Sequence, residues 1–130
     1  DFPAPESLAH QVTEAVAIGA VAVAEDLDAS LIAVATVSGR SALAISKERR
    51  GVHVLAICDC PRTAGWMTIL WGVTPILASS SDLQADQLVR LAVDWGYQED
   101  VLEQGSRLVV VASSRWVAEG HDSLLVHVAE

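Results

Sequence analysis

Two patterns of apolar residues alternate along this chain. The first consists of short runs rich in β-branched residues, which are typical of buried strands and predict five of them, over residues 31–35, 52–57, 73–78, 107–112 and 124–128. The second has apolar residues at three- and four-residue steps and predicts helices over residues 7–25, 42–50, 61–70 and 81–95. Because strands and helices alternate after an opening helix, we expect a mainly parallel sheet covered by helices on both faces.

The length and composition indicate one globular domain. The chain has 130 residues, of which 52% are hydrophobic and 19% charged, so it can build a core and is not expected to be disordered. Pro3 and Pro5 resist helix and sheet, and residues 1–6 are therefore predicted to be a linker before a domain over residues 7–130. Since the chain begins at Asp1 rather than at a methionine, we expect a piece of a longer protein or a processed product.

The charge balance excludes several classes of partner. The formal net charge is −9, which argues against nucleic acid and anionic membranes, since both attract basic surfaces. No apolar run approaches the roughly 20 residues of a membrane span, and the acidic, proline-bearing start does not resemble a signal peptide. Cys58 and Cys60 are too close in sequence to favour a disulfide, so we expect reduced thiols and a cytoplasmic protein.

The segment Thr36-Val37-Ser38-Gly39-Arg40-Ser41 is the main candidate for chemistry. It lies between a predicted buried strand and a predicted helix, where the first helical N–H groups have no partner within the helix and the helix dipole is positive. Gly39 allows a ligand to approach the backbone, the hydroxyls can donate hydrogen bonds, and Arg40 can bind a phosphate in a forked arrangement. These features predict an anion site, with phosphate as the ligand.

A purely structural interpretation of the same segment is equally open. Ser38 can cap the helix while Gly39 supplies a tight turn. The segment lacks the glycine and lysine spacing of a P-loop, and it also lacks the three-glycine pattern of dinucleotide-binding folds.

Other parts of the predicted rim carry further candidates. In a parallel sheet the segments that follow the strands lie at one edge, which here would hold residues 36–41, 58–63 and 113–123. Arg40, Arg62 and Arg115 can converge at that edge. Trp66 and Trp71 point in different directions on one predicted helix and serve either the core or a subunit interface, whereas Trp116 is assigned to a ligand or an interface.

Two alternative chemistries have little support. A metal site can be drawn from Cys58, Cys60 and His53, but a structural zinc takes four ligands at wider spacing. A serine hydrolase triad can be drawn from Ser41, His121 and Asp122, but no nucleophile-elbow motif accompanies it. We therefore predict no catalytic and no metal-binding residues.

Four segments, in the same order, resemble the C-terminal α/β domain of pyruvate kinase. They are Thr-Glu-Ala-Val-Ala-Ile-Gly-Ala-Val (13–21), Thr-Val-Ser-Gly-Arg-Ser-Ala (36–42), Ile-Cys-Asp-Cys-Pro-Arg-Thr-Ala (57–64) and Leu-Trp-Gly-Val-Thr-Pro-Ile-Leu (70–77). The resemblance extends over about residues 7–128.

The resemblance implies a three-layer fold whose five-stranded, mainly parallel sheet has an antiparallel last strand. It also implies no cofactor in this domain, because the magnesium, potassium and phosphoenolpyruvate sites of the family lie on a separate barrel. Many members bind a phosphorylated effector through this domain and use it as a subunit interface, so we expect a phosphorylated small molecule and a second copy of the chain as partners.

The resemblance also implies specific residues. One phosphate of the effector would be held by Thr36, Ser38, Gly39, Arg40 and Ser41. The family's glycine-rich last loop is only partly matched here, by Gly120 and Ser123, and its acidic residues Glu119 and Asp122 would repel a second phosphate. Further effector contacts are expected from Arg62, Arg115, Trp116 and Gly120.

The resulting hypothesis is a regulatory and oligomerisation domain of a pyruvate kinase or a close relative. The parent enzyme would transfer phosphate from phosphoenolpyruvate to ADP, and this chain alone would not. The alternatives are a stand-alone protein that binds a phosphorylated metabolite and a structural module with a vestigial site.

Overall fold

The computed structural model describes residues 4–36, 39–48, 51–79, 85–112 and 123–130. Within them the helices and strands follow one another in the order α1 (Ala4–Asp26), β1 (Leu31–Ala35), α2 (Arg40–Glu48), β2 (His53–Cys58), α3 (Pro61–Met67), β3 (Val73–Leu77), α4 (Ala85–Gln98), β4 (Arg107–Ala112) and β5 (Ser123–Val128). The α/β alternation expected from the apolar pattern is confirmed.

The five strands form one sheet in the order β3-β2-β1-β4-β5. β1 is the central strand, and Ile32 pairs with Val54 of β2 on one side and Val109 of β4 on the other. The first four strands are parallel, while β5 runs antiparallel to β4. The predicted fold class, including the antiparallel last strand, is confirmed.

Helices cover both faces of the sheet, which gives three layers. Ile32 and Val34 of β1 belong to one buried cluster, which also contains side chains from α1, α2 and α3. Leu31, Ala33 and Ala35 belong to a second cluster with α4. Because both faces of the central strands are buried, these strands are continuous apolar runs instead of alternating ones.

α1 packs closely because its inward face consists of small residues. Ala17, Ala20 and Ala24 are buried, and the helix contacts α2 and β4. The helix begins at Ala4, inside the segment predicted to be a linker. Proline is accepted in a first helical turn, where its missing N–H has no helical partner, so Pro5 does not prevent helix formation.

Two predicted helix ends differ from the structure. α4 continues past Gly96 to Gln98. A Cβ at Gly96 would overlap the buried side chain of Leu102, with 3.1 Å to its Cβ, so this glycine permits a close approach within the helix rather than ending it. α3 ends at Met67, and the next three N–H groups bond to carbonyls three residues back, which tightens the chain into turns.

β3 lies at one edge of the sheet, as the proline at position 75 indicates. Residues 81–84 of the predicted helix over residues 81–95, and most of the loop over residues 113–123, lie outside the described residues. No helix in the described part of the chain combines the length and apolar character needed to cross a bilayer.

Candidate functional site

The candidate segment lies where the central strand meets α2. β1 ends at Ala35, and the N–H of Thr36 still bonds to the carbonyl of Ile57 at 2.9 Å, which extends the β1–β2 pairing by one residue. The carbonyl of Gly39 accepts the first helical bond of α2, from the N–H of Leu43 at 2.9 Å. Gly39 is therefore the N-cap residue of the helix, at the carboxyl edge of the sheet.

A side chain from the strand closes this turn. The N–H of Gly39 donates a hydrogen bond of 2.8 Å to Oγ1 of Thr36, whose side chain is only 1% exposed. Gly39 has φ of +90°, in the left-handed region that favours glycine. The hydroxyl that stabilises the turn thus belongs to Thr36, whereas Ser38, to which the structural interpretation assigned capping, lies outside the described residues.

The first turn of α2 has the composition of an anion site. Arg40 is exposed and Ser41 is nearly buried, and no acidic residue lies in this turn. The first N–H groups of any α-helix have no carbonyl acceptor four residues earlier within the helix. They point out of the N-terminal end, where the helix dipole is positive. An anion near Arg40 would meet those N–H groups as well as the guanidinium.

Trp66 of α3 lies directly over the turn, which the sequence did not reveal. A Cβ built on Gly39 would overlap the indole, with 2.8 Å to Cε2 and 3.1 Å to Cη2. The Trp66 side chain remains 36% exposed, whereas Met67 beside it is fully buried and Trp71 is 83% exposed. Met67 therefore belongs to the core, while Trp66 packs against the candidate site.

The cysteines lie where β2 ends, next to the same edge of the sheet. Both are free thiols, and the buried Cys58 Sγ donates to the carbonyl of Cys60 at 3.6 Å and of Ile76 at 3.8 Å. Burial raises the pKa of the Cys58 thiol. Cys60 is the N-cap residue of α3 and makes no side-chain capping bond.

The environment of Cys60 nevertheless favours its thiolate. The N–H of Thr63 lowers the pKa of this thiol most, followed by the Thr63 hydroxyl and the N–H of Arg62. These donors belong to the first turn of α3, where helical N–H groups stabilise negative charge. Cys60 is thus the more acidic of the two thiols.

The structure brings together only part of the predicted site. Thr36, Gly39, Arg40 and Ser41 lie where β1 meets α2, and Arg62 is exposed in the first turn of α3, after the neighbouring strand. The remaining predicted contacts lie outside the described residues; they are Ser38, Arg115, Trp116 and Gly120.

The alternative metal site is not assembled. His53 begins β2 and Cys58 ends it, so five residue steps of extended strand, about 16 Å, separate their backbones. The Nε2 atom of His53 lies 3.0 Å from Oγ1 of Thr74, and its ring centroid lies 5.4 Å from that of Trp95. Within the described ranges, no three histidine, cysteine or acidic side chains lie close enough to hold a metal ion. His121 and Asp122 of the hypothetical triad lie outside those ranges.

Comparison with known proteins identifies the family. The family model described as "Pyruvate kinase, alpha/beta domain" matches residues 14–127. A pyruvate kinase from Agrobacterium vitis is 33% identical over 113 residues, which cover 87% of this chain and 24% of the relative. A pyruvate kinase from Clostridium acetobutylicum is 29% identical with the same coverage.

Solved structures give the same result. A crystal structure of a pyruvate kinase from Cryptosporidium parvum has a TM-score of 0.80 and 25% identity, and it covers 92% of this chain and 23% of that protein. A structure of Cryptosporidium parvum pyruvate kinase in complex with ADP has a TM-score of 0.78 and 27% identity. The chain therefore spans about a quarter of the length of the relatives that it matches.

Proposed function

Because the chain belongs to the pyruvate kinase alpha/beta-domain family, we propose that it is the regulatory and oligomerisation domain of a pyruvate kinase or a close relative. The turn over residues 36–41 would bind the phosphate of a phosphorylated small molecule. The parent enzyme would transfer phosphate from phosphoenolpyruvate to ADP in the cytoplasm. Magnesium and potassium would belong to its barrel rather than to this domain.

The geometry of one turn carries the phosphate proposal. Gly39, held by Thr36, directs the chain into α2 so that Arg40 and Ser41 occupy its first two positions. The guanidinium of Arg40 is exposed next to the positive end of the helix dipole, and no carboxylate lies in that turn to compete with an anion. A chain with a net charge of −9 must bind phosphate through such a local arrangement, because its overall field repels anions.

Arg40→Ala tests this role. Loss of a charge-assisted contact should weaken binding of a sugar phosphate or AMP by about 1.5–3 kcal/mol, or roughly 10- to 150-fold, in calorimetric titrations. Lys47→Ala is the matched control, because Lys47 is also exposed and cationic but lies in the last turn of the same helix. This control should bind like the unaltered chain.

Three results would count against the phosphate site. Equal loss of affinity in both variants would indicate a nonspecific effect of charge, and unchanged affinity in Arg40→Ala would remove that residue from the site. If no phosphorylated compound binds the unaltered chain, the structural-module alternative is favoured.

A separate observation supports oligomerisation. α1 exposes apolar side chains as well as burying them, since Val12 is 41% and Ile18 53% exposed. Helices that are apolar all round are usually covered on every side. α1 contacts β4, and Val109 of β4 lies in the buried cluster under this helix. Val126 of the edge strand β5 pairs with Val109 and therefore lies on the same face of the sheet, where it is exposed. We propose that a second copy of the chain covers this face.

Ile18→Lys tests the proposed interface. The introduced lysine would lie one turn after Glu14, which favours the helix, while its charge would oppose burial between two copies. Sedimentation should therefore show self-association of the unaltered chain and its loss in this variant. Leu77→Lys on the opposite edge strand is the control, because Leu77 has nearly the same exposure, 54%. A monomeric unaltered chain at high concentration would contradict the interface.

A further inference from the structure

The two free thiols of the chain lie where β2 meets α3, and the function proposed above does not use them. We propose that Cys58 and Cys60 form a redox-active dithiol, in which Cys60 reduces a hydroperoxide and Cys58 then closes a disulfide with it. This inference does not depend on the phosphate site. It assigns to the chain a modification site and a class of substrate, the hydroperoxides.

The contacts of the two sulfur atoms place them on the same turn of α3. The N–H groups of Thr63 and Arg62 face the sulfur of Cys60. The next N–H along the helix, that of Ala64, faces the sulfur of Cys58. The Cys58 Sγ also lies 3.6 Å from the carbonyl oxygen of Cys60. The two thiols are therefore neighbours in space as well as in sequence.

A bend in the chain removes the main obstacle to a disulfide across a single residue. Two steps of fully extended backbone separate the Cα atoms by about 7 Å, just beyond the range of about 4.4–6.8 Å that is usual for a disulfide. Here β2 ends at Cys58 and the chain bends at Asp59, which shortens this separation. The spacing that disfavours a disulfide within an extended strand is therefore compatible with one at this strand end.

The surroundings give the two thiols different roles. Cys60 is half-buried, and the N–H and hydroxyl of Thr63 lower the pKa of its thiol, so the thiolate that attacks peroxides forms more readily there. Cys58 belongs to the core cluster, where burial raises the pKa of its thiol. Cys58 is thus shielded from a peroxide in solution but remains next to Cys60.

The two steps balance without a further reactant. In the first step the Cys60 thiolate attacks a peroxide oxygen, so that an S–O bond forms and the O–O bond breaks. The sulfur gives up two electrons to the peroxide, whose leaving oxygen takes a proton from water. In the second step Cys58 attacks the sulfenic sulfur of Cys60, an S–S bond forms, and the hydroxyl leaves as water with the Cys58 proton.

The first step also prepares the second. A negative charge on Cys60 opposes ionisation of Cys58 and contributes to the raised pKa of that thiol, after the larger effect of burial. A sulfenic acid is neutral, so this opposition ends when Cys60 is oxidised. Cys58 therefore becomes a better nucleophile once its target has formed.

The test treats the reduced chain with hydrogen peroxide and measures its intact mass without a reductant. We expect a monomer that has lost the mass of two hydrogen atoms, with both thiols closed to iodoacetamide until dithiothreitol reopens them. Cys58→Val fills the buried position without a thiol, so Cys60 should stop at the sulfenic acid, which dimedone traps as an adduct. Cys60→Ser should form neither the disulfide nor the adduct.

A second pair of variants tests the role of Thr63 as a positioning residue. Thr63→Val removes the hydroxyl that faces Cys60, so it should slow the peroxide reaction at neutral pH and move its pH midpoint upward. Thr68→Val is the matched control, because the Thr68 hydroxyl bonds to the carbonyl of Gly65 at the other end of α3. The control should react at the rate of the unaltered chain, and circular dichroism reports whether each variant is folded.

The unaltered chain decides the inference even if a variant does not fold. The inference is overturned if peroxide leaves both thiols free, or if Cys60 proceeds to the sulfinic acid while Cys58 stays free. Disulfides that form only between chains would also overturn it. The proposed phosphate site would survive each of these results.

Discussion

Gly39 combines two requirements that a larger residue cannot meet. Its φ is +90°, and the indole of Trp66 occupies the space where a side chain on this residue would begin. Gly39→Ala should therefore destabilise the protein by about 1–2 kcal/mol through the left-handed backbone and by about 1–3 kcal/mol more through overpacking. Urea denaturation measures the change.

Gly51→Ala isolates the first of these effects. Gly51 has nearly the same φ, +94°, but a Cβ there would meet nothing within 4 Å. It should show the backbone cost alone, and the double variant Gly39→Ala/Trp66→Ala should recover part of the difference. Equal destabilisation by the two single substitutions would show that Trp66 does not press on Gly39.

Cys60 should be the reactive thiol of this protein. Because the donors of Thr63 and Arg62 lower its pKa below the ordinary value of 9.0, its thiolate forms at lower pH. Iodoacetamide labelling of Cys60 should rise with pH at a midpoint below that value, and the buried Cys58, whose pKa is raised, should be labelled much more slowly. Mass spectrometry locates the label on either residue.

Thr63→Val tests the cause of the shift, since it removes the hydroxyl and keeps the backbone N–H. The labelling midpoint of Cys60 should move upward without returning fully to 9.0. A midpoint that does not respond to this substitution would exclude the hydroxyl as a contributor.

At the residue scale, the sequence indicated which residues lie in the turn better than it indicated which residues they contact. It placed a threonine, a glycine and an arginine in one turn, and the structure has them there. Ser38, to which one interpretation assigned capping, lies outside the described residues, and the hydrogen bond that the structure shows across the turn joins Gly39 to Thr36. The sequence contained no indication that Trp66 covers the turn, since no local pattern joins a helix to a loop on another strand.

Two helical glycines should respond oppositely to alanine. Gly19 in α1 has nothing within 4 Å of a Cβ, so Gly19→Ala should stabilise the protein by about 0.5–1 kcal/mol through helix propensity. Gly96 in α4 lies against Leu102, so Gly96→Ala should destabilise it despite the same gain. Thermal melting of the two variants gives the comparison, and stabilisation by both would disprove the close packing of α4 on Leu102.

At the element scale, strands were predicted more accurately than helix ends. β1 and β4 have their predicted bounds, because a buried strand is a continuous apolar run with polar residues at its ends. α4 was predicted to end at Gly96, since glycine commonly follows a helix. Contact with Leu102 explains that glycine instead, and such a contact is invisible to a local reading of the chain.

The described fold should unfold as one unit. The two buried clusters lie on opposite faces of the same sheet and share its central strands, so neither can persist when the other is lost. Circular dichroism and tryptophan fluorescence should therefore give coincident urea transitions. Ile32→Ala and Leu55→Ala, on opposite faces and both fully buried, should each lower the free energy of unfolding by about 2–5 kcal/mol. Separate transitions for the two probes would contradict this coupling.

The sequence by itself determined the fold class and the family of this protein. Apolar periodicity is a local property, so it specifies which segments are strands, which are helices and which residues lie inside. The tertiary structure alone decided the order of the strands in the sheet, that Trp66 covers Gly39 and that Leu102 fills the space at Gly96. These contacts join residues that are distant along the chain or lie on different elements, and their geometry depends on how the layers pack, which no short stretch of sequence encodes.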